Sequence, residues 1–543
     1  MSKLIIIVLC LFAIQSKAQN NNIHPNRVYC DSDYSVSGIV QNSDGSFLCS
    51  GVDFKGANID GLVMKLDANY NVLWRKTYGG SENDRLIFIQ KISADRFLVA
   101  GEATSIDGDL APYSWPFITA TNIWLMIVDS NGNFIRGSTY GYGSSTYLSG
   151  IQVRNDGNIF LSGETVAEGG DFAGNPGDPL VNQTFVALTD TMLNKKWLRY
   201  IKGLSSDYCL NWCNALDRNQ NLVLSIVSTS TSGDYAGLGP VVGGLDAFLF
   251  CMDTSQNIVW RKRYEGNSTE HISDIFFDSS NHAILVANGN STTGDFFTNE
   301  VRWNLATGIS EYLTVCKTDS IGNILWKHAY GSFDTTMTEL RNIQTDGLLV
   351  SGKAIWIYSR IQGRDSVGEG FGWTPQIGSV DTWIVQCDTL GIMENKLRLG
   401  GKQNDEALWI SENSKSNNPV IGMLSVGSVG DITNFDCRVN KIADVKIFEL
   451  EQWPNQVSDI QKSLHLMWTI SPNPNDGNFL MTFEQEFSGD LKIYNSTGQY
   501  LFKSKLRNTL KKDLSIPNLK DGIYYFEISN KNGRQIKQLI IKH

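Results

Sequence analysis

Asp67-Ala-Asn-Tyr-Asn-Val-Leu-Trp74-Arg-Lys-Thr-Tyr78-Gly79-Gly80 is a stretch that this chain writes again and again. Asp253-Thr-Ser-Gln-Asn257 leads to Trp260 and Tyr264, and Asp319-Ser-Ile-Gly-Asn323 leads to Trp326 and Tyr330. Fainter copies start at Asp129, Asp190 and Asp388. A period of sixty-odd residues means an array of similar supersecondary units, and it decides the fold class before any single residue is weighed.

Before each aspartate runs an apolar strand, such as Gly61-Leu-Val-Met-Lys-Leu66 or Ile123-Trp-Leu-Met-Ile-Val128. The Asp-x-x-Gly-Asn segment is turn chemistry, because Asp and Asn bond their own backbone and Gly and Asn accept positive φ. A second strand follows, so each copy ends in a hairpin. Upstream lies another hairpin, with Asp-Gly turns expected at Asp44-Gly45, Asp156-Gly157 and Asp346-Gly347. Two hairpins make four antiparallel strands, which is one propeller blade. The expected blade cores are 36–80, 86–141, 147–202, 209–265, 272–331 and 338–401. A degenerate seventh runs through Ala407–Ile410, Val420–Ser425, Cys437–Val439 and Val445–Leu450. Val28-Tyr-Cys30 is a candidate strand for the last blade. The reading is all-β: a β-propeller of about seven four-stranded blades over 19–450, a linker at 451–466, and a small Ig-like β-sandwich at 467–543.

The N-terminus has a lysine, an apolar run from Leu4 to Ile14, and Ser16-Lys-Ala18. That is the pattern of a secretory signal peptide, 1–18, cleaved after Ala18. No other stretch approaches the ~18 apolar residues of a membrane helix, so no transmembrane segment is expected in the mature chain. The net charge of −10 and pI near 5.2 argue against a nucleic-acid surface. Cys251, Cys316 and Cys387 precede repeat aspartates on apolar strands, where buried free thiols are common; Cys209 and Cys213 stand close enough in sequence to pair or not.

Gly108-Asp109, Gly170-Asp171, Gly233-Asp234 and Gly294-Asp295 form a second periodic mark, faintly echoed at Gly430-Asp431. Asp109, Asp171, Asp234 and Asp295 are candidate contacts to a sugar or cation. The competing and favoured reading is a turn with a locally bonded Asp. No metal and no cofactor is expected, since no loop offers the converging oxygens that calcium needs. Trp74, Trp197, Trp260 and Trp326 share one repeat position and read as packing between blades. Trp115, Trp303, Trp356 and Trp373 stand outside that register in expected blade insertions. Trp115, Trp303 and Trp373 are the candidates for stacking on a ligand. The six histidines show no metal-ligand spacing, and neither a nucleophile elbow nor a phosphate loop occurs. Binding of a polysaccharide or protein ligand is therefore the first reading. A glycan hydrolase or lyase is the rival, and a structural or adhesion protein the third.

The C-terminal unit carries Ser471-Pro472-Asn473-Pro474 with Gly477, Leu491-Lys-Ile-Tyr494 with a turn at Gly498, Gly522-Ile-Tyr524-Tyr, and a terminal Lys537-Gln-Leu-Ile-Ile-Lys542. In that order, and at the end of the chain, they resemble the type A C-terminal sorting domain of the type IX secretion system of Bacteroidetes. The resemblance implies recognition by the type IX machinery, passage through the periplasm, removal of the domain, and a cargo released or attached at the outer-membrane surface. The blades also resemble the propeller repeats of such cargo, which implies a fold and no particular ligand.

Overall fold

The computed structural model describes residues 23–31, 33–113, 120–174, 182–203, 207–241, 243–298, 312–330, 342–362, 380–399, 405–426, 443–450, 468–472, 477–495, 500–516, 519–530 and 533–542. Contacts divide the chain into two units, Met1–Glu451 and Gln452–His543. The first unit contains seven four-stranded antiparallel sheets. Six are continuous in sequence: blades 1 to 6 span 34–78, 84–140, 146–200, 207–264, 270–330 and 342–399. The seventh takes Asp405–Asn413, Asn418–Val426 and Ala443–Leu450, and its fourth strand is the N-terminal Ile23–Asp31. Tyr29 there lies opposite Ile447, and Asp31 opposite Val445. The first strand of each blade touches the first strand of the next, and that of blade 7 touches blade 1, so the ring closes. Cys437–Val439 lies outside the described residues.

No α-helix occurs among the described residues. The middle strands of a blade are buried on both faces, which explains why Leu62-Val63-Met64 runs apolar without alternation. Val63 packs into the seam between blades 1 and 2, whereas Leu62 and Met64 pack into the seam with blade 7. Among the described residues the hydrophobic core is thus divided into clusters that follow the seams, with Phe185 and Leu125 between blades 2 and 3 and Phe248 and Phe160 between blades 3 and 4.

The repeat motif explains itself across these seams. Each turn aspartate accepts two backbone N–H bonds, as Asp67 does from Asn69 at 2.8 Å and Asn71 at 2.9 Å. Burial raises its pKa, but the Asn71 side chain and those N–H groups outweigh it and hold the carboxyl below its ordinary range. The Trp-x-Lys-x-Tyr half of one blade grips the turn of the next. Lys76 donates to Asn133, the Tyr78 hydroxyl to the Gly132 carbonyl, and the Trp74 ring lies over Gly132. Trp197 Nε1 likewise donates to Thr254 O at 2.8 Å, and the Tyr264 hydroxyl to Gly322 O at 2.7 Å. Blade 6 ends in Met393–Leu399 without Trp or Tyr, and blade 7 has no such turn to receive them.

At the closing seam the blade 1 turn carries Tyr70, fully buried, whose hydroxyl donates to Glu449 of the seventh blade at 3.2 Å. Glu449 also accepts from Ser416, Asn413 and Asn418. Trp409 Nε1 donates to Val36 O at 2.9 Å, a second tie between blades 7 and 1.

Two expectations need correction. Asp346-Gly347 is not a hairpin turn: the strand Asn342–Ser351 runs through it and turns at Gly352-Lys353. The pair instead falls in a β-bulge, where the register jumps from Thr345 to Gly347. Every blade has a register break at this point of its first strand, so tertiary position overrides the local turn preference. Trp356 is not in an insertion but on the strand Ala354–Gln362, 4% exposed in the core.

The second unit is one five-stranded sheet folded on itself. Asn478–Asn495 pairs with Trp468–Ser471 through its first half and with Gly522–Asn530 through its second. Tyr500–Ser515 pairs along both halves, with register breaks between Thr482 and Gly489. Folding at those breaks brings Phe479 and Met481 against Ile493, Phe526 and Leu539 in one core.

Candidate functional site

The two faces of the ring differ. One face carries the tight turns between strands 1 and 2 and between strands 3 and 4, such as 67–71 and 253–257. The other, the loop face, carries the strand 2–3 connections, which range from 54–59 in blade 1 to 290–311 in blade 5. Trp115, Trp303 and Trp373 lie outside the described residues. The strands that flank them in sequence, Arg96–Ala103 and Asn122–Asp129, Ala283–Gly289 and Tyr312–Thr318, Ala354–Gln362 and Val380–Cys387, meet the loop face at those ends.

Asp109, Asp171, Asp234 and Asp295 are on this face, one per blade, at the start of the strand 2–3 connection. Three of them sit in single 3-10 turns, Gly108–Leu110, Gly170–Phe172 and Gly233–Tyr235. Each clasps the chain leaving the preceding blade. The Asp234 backbone N–H donates to Lys202 O at 2.7 Å, and its carboxylate accepts the Lys202 N–H at 2.8 Å. Asp109 does the same with Gly79, and Asp295 with Glu265; Asp171 accepts from Gly141 N at 3.4 Å. Lys195 and Arg199 add ion pairs to Asp171 and Asp234, both at 2.9 Å. The next side chain, Leu110, Phe172, Tyr235 or Phe296, plugs the seam. Among the described residues no three His, Cys, Asp or Glu side chains gather as a metal site.

A carboxylate pair lies under the loop face between blades 4 and 5. Arg263 binds Asp246 at 2.5 Å, and Ser291 donates to Glu270. Burial, then the neighbouring Asp246, pushes Glu270 up to about 8.

The bulges bring a different set together. The second-last paired residue before the break in each first strand forms a crown around the loop-face end of the channel: Ser35, Arg85, Tyr147, Tyr208, His271, Gln344 and Glu406, from blades 1 to 7. Tyr147 and Tyr208 are 46% and 41% exposed, unusual for large aromatics on inner strands. Burial lowers His271 to about 4, so it is neutral at physiological pH. Tyr147 faces Glu164 across the ladder, and Glu164 accepts the Cys209 N–H of the next blade. Asn182 Nδ2 donates to the other Glu164 oxygen at 3.2 Å.

Below the crown, at the level of the bulges, is a cavity of about 300 Å³ to which all seven blades contribute, including Ile39, Ile89, Gln152, Asn214, Leu348 and Trp409. Asp274 is the one carboxylate among its described lining residues. It accepts N–H bonds from Leu348 at 2.9 Å and Ile275 at 2.7 Å. Burial nonetheless pushes it up to about 7. Gly347 is required beside it, since a Cβ there would stand 2.7 Å from the Tyr358 ring and 3.0 Å from Asp274. A two-carboxylate glycosidase mechanism needs a second carboxyl about 5–9.5 Å away, and the described lining of this cavity supplies none. Neither the crown nor Asp274 stands out in the sequence, because the signal is a bulge register rather than a motif.

In the second unit, Tyr524 is buried and its hydroxyl donates to Lys520 O at 2.8 Å, while Gly477 takes φ +97°. Pro472, Gly522 and Lys542 are exposed; Asn473, Pro474 and Gly498 lie outside the described residues. Residues 469–542 match the family model of the secretion system C-terminal sorting domain. No curated protein matches the sequence. Among solved structures, the chain is similar to Sqt1 from Chaetomium thermophilum at 10% identity and TM-score 0.36, over 79% of this chain and 99% of that one. It is similar to the polysaccharide lyase Uly1 at 8% and 0.42, over 77% and 90%. A member of the duf4221 family from Bacteroides vulgatus gives 12% and 0.33, over 62% and 93%. At these values no activity passes from them, and the propeller rests on this chain's own strand order.

Proposed function

We propose, from the premise that the last domain is a type IX secretion sorting domain, that this exported cargo is a binding module whose propeller holds an extracellular glycan on its loop face. The sorting tail implies export to the cell surface or beyond, and no helix among the described residues is long and apolar enough to cross a membrane. A signal peptide over 1–18, passage through the periplasm and removal of the sorting domain complete the route.

The observation that carries the binding reading is the asymmetry of the faces. The turn face repeats the same hydrogen-bonded turn from blade to blade, which is scaffold. The loop face varies in length and sequence on that scaffold, as binding surfaces on rigid frameworks do. In the sequence, Trp115, Trp303 and Trp373 fall between the second and third strands of blades 2, 5 and 6. The test is retention of the full chain on an array of polysaccharides, with reducing-sugar release measured in parallel. Retention without release supports a binding module; release overturns it in favour of a hydrolase or lyase; neither points to a protein partner.

A further inference from the structure

We infer that the chamber below the crown is a binding site for a compact organic ammonium ion, its head on Asp274 and its apolar body against Trp409 and the neighbouring aliphatic side chains. The site is separate from the loop face and does not rest on the glycan-binding reading.

The chamber has the size and make-up of a small-molecule site. Its volume of about 300 Å³ stands at the lower end for ligand pockets, which are mostly apolar with a few converging polar groups. Ile39, Ile89, Ile275, Leu348 and Trp409 supply the apolar wall. Asp274 supplies the charge, and the fold does not ask for it. It is the residue at which pairing resumes after the bulge of blade 5. The other six blades hold Gly38, Phe88, Gly150, Asn214, Gly347 and Trp409 at that position. A carboxyl set among apolar walls costs stability unless a partner compensates it.

The lining selects a ligand that donates. Gln152 Nε2 donates to Asn214 O and Oδ1, both at 3.0 Å, and Asn214 Nδ2 donates to Ser162 Oγ at 2.6 Å. Trp409 Nε1 is held by Val36 O, and the Tyr358 hydroxyl donates to Leu408 O at 3.4 Å. The capacity left on these side chains is for accepting. Asp274 takes one backbone N–H on each oxygen, from Ile275 and Leu348, out of about four that a carboxylate can accept. Gln152 Oε1 accepts no hydrogen bond among the described residues. An ammonium group has three donors and no acceptor, and its charge answers that of the carboxylate. Trp is the aromatic ring that attracts a cation best. A bare metal ion would leave the apolar wall uncovered, whereas an alkyl body covers it.

Binding is linked to a proton. Burial holds Asp274 near 7, and an ammonium partner favours the carboxylate, so the carboxyl proton leaves for solvent as the cation enters. The titratable groups around Asp274 do not share this change. Cys213 of blade 4 and Tyr358 of blade 6 feel its charge, and burial pushes both well above their ordinary values. Asp346 and Arg360, which Tyr358 also senses, form an ion pair. His271, on the same strand, is lowered by burial to about 4 and stays neutral.

The test is a ligand-observed NMR titration of the full chain with n-butylammonium and cyclohexylammonium chloride, beside their neutral counterparts 1-butanol and cyclohexanol, at pH 6 and pH 8. Wild type is compared with Asp274→Asn, whose folding is checked by far-UV circular dichroism. The expected result is saturable binding of an ammonium, about tenfold tighter than its alcohol and weakened about tenfold by Asp274→Asn, the scale of one hydrogen bond to a charged group. The affinity should also rise roughly tenfold from pH 6 to pH 8, because a carboxyl titrating near 7 is about one-tenth ionised at the first and about nine-tenths at the second. The alcohol comparison and the pH dependence are read on wild type, so they decide even if Asp274→Asn does not fold. Equal binding of ammonium and alcohol overturns the cation selectivity. Ammonium binding that ignores pH or survives Asp274→Asn places the cation elsewhere and overturns the site, as does no saturable binding at all. None of these outcomes bears on glycan retention.

Discussion

Gly132→Ala is the sharpest probe of how the blades are joined. Gly132 has φ +70°, and a Cβ there would lie 2.4 Å from the Trp74 ring of the preceding blade. Two costs follow. A non-glycine residue in the left-handed region loses roughly 1–2 kcal/mol, and forcing a methyl group into a packed contact adds roughly 1–3 kcal/mol. Gly174→Ala separates them, because Gly174 has φ +88° with nothing within 4 Å of its added Cβ. Gly132→Ala should therefore cost about 1–3 kcal/mol more than Gly174→Ala. In a Trp74→Ala background the ring is gone, and the excess should vanish, leaving only the backbone cost. Urea unfolding followed by far-UV circular dichroism measures all four variants and the coupling between the two sites. Equal costs for the two glycines, or an excess that persists without Trp74, would show that the ring does not press on the neighbouring turn. Packing across the seam would then fail as the reason why Trp and Asp-x-x-Gly-Asn recur together.

Three further outcomes are expected. Asp109→Ala should lower stability by about 1 kcal/mol, the net worth of a hydrogen bond, and leave glycan retention unchanged; lost retention at full stability would make Asp109 a ligand contact instead of a clasp. Asp274 titrates near 7 in the folded chain against an ordinary 3.8, so between those values the unfolded state gives up its proton first and stability falls as pH rises. Asp274→Asn should accordingly match wild type most closely near pH 4 and gain on it up to about pH 8; a difference independent of pH refutes the raised carboxyl. Cys49, Cys209, Cys213, Cys251, Cys316 and Cys387 are buried free thiols. Burial pushes all six up, Cys209, Cys316 and Cys387 to about 12, so iodoacetamide followed by mass spectrometry should label them only after unfolding. Labelling of any of the six in the folded chain would contradict their burial.

The repeat was legible because its turns are local. Asp67 bonds to Asn69 and Asn71, so the spacing of those residues carries the structure with it, and the Trp and Tyr recur because their targets recur in the next copy. The same locality misleads at Asp346-Gly347. Its turn preference is outweighed by a strand already paired over its whole length with Ala354–Gln362, and Asp346 ends up bound to Arg360. Trp356 misleads in the other direction, since falling out of the repeat register says nothing about burial. The candidate site is less legible still. Tyr147 and Tyr208 look alike in sequence only once the bulges align their strands, and blade 4 breaks register over Cys209 to Asn214 where other blades skip one residue. Asp274 looks like any strand aspartate until seven blades enclose it. Strand identity, turn chemistry and blade period depend on residues a few places apart, which a linear sequence displays. The closing strand, the crown and the channel carboxyl depend on residues one or more blades apart, and only the closed ring brings those together.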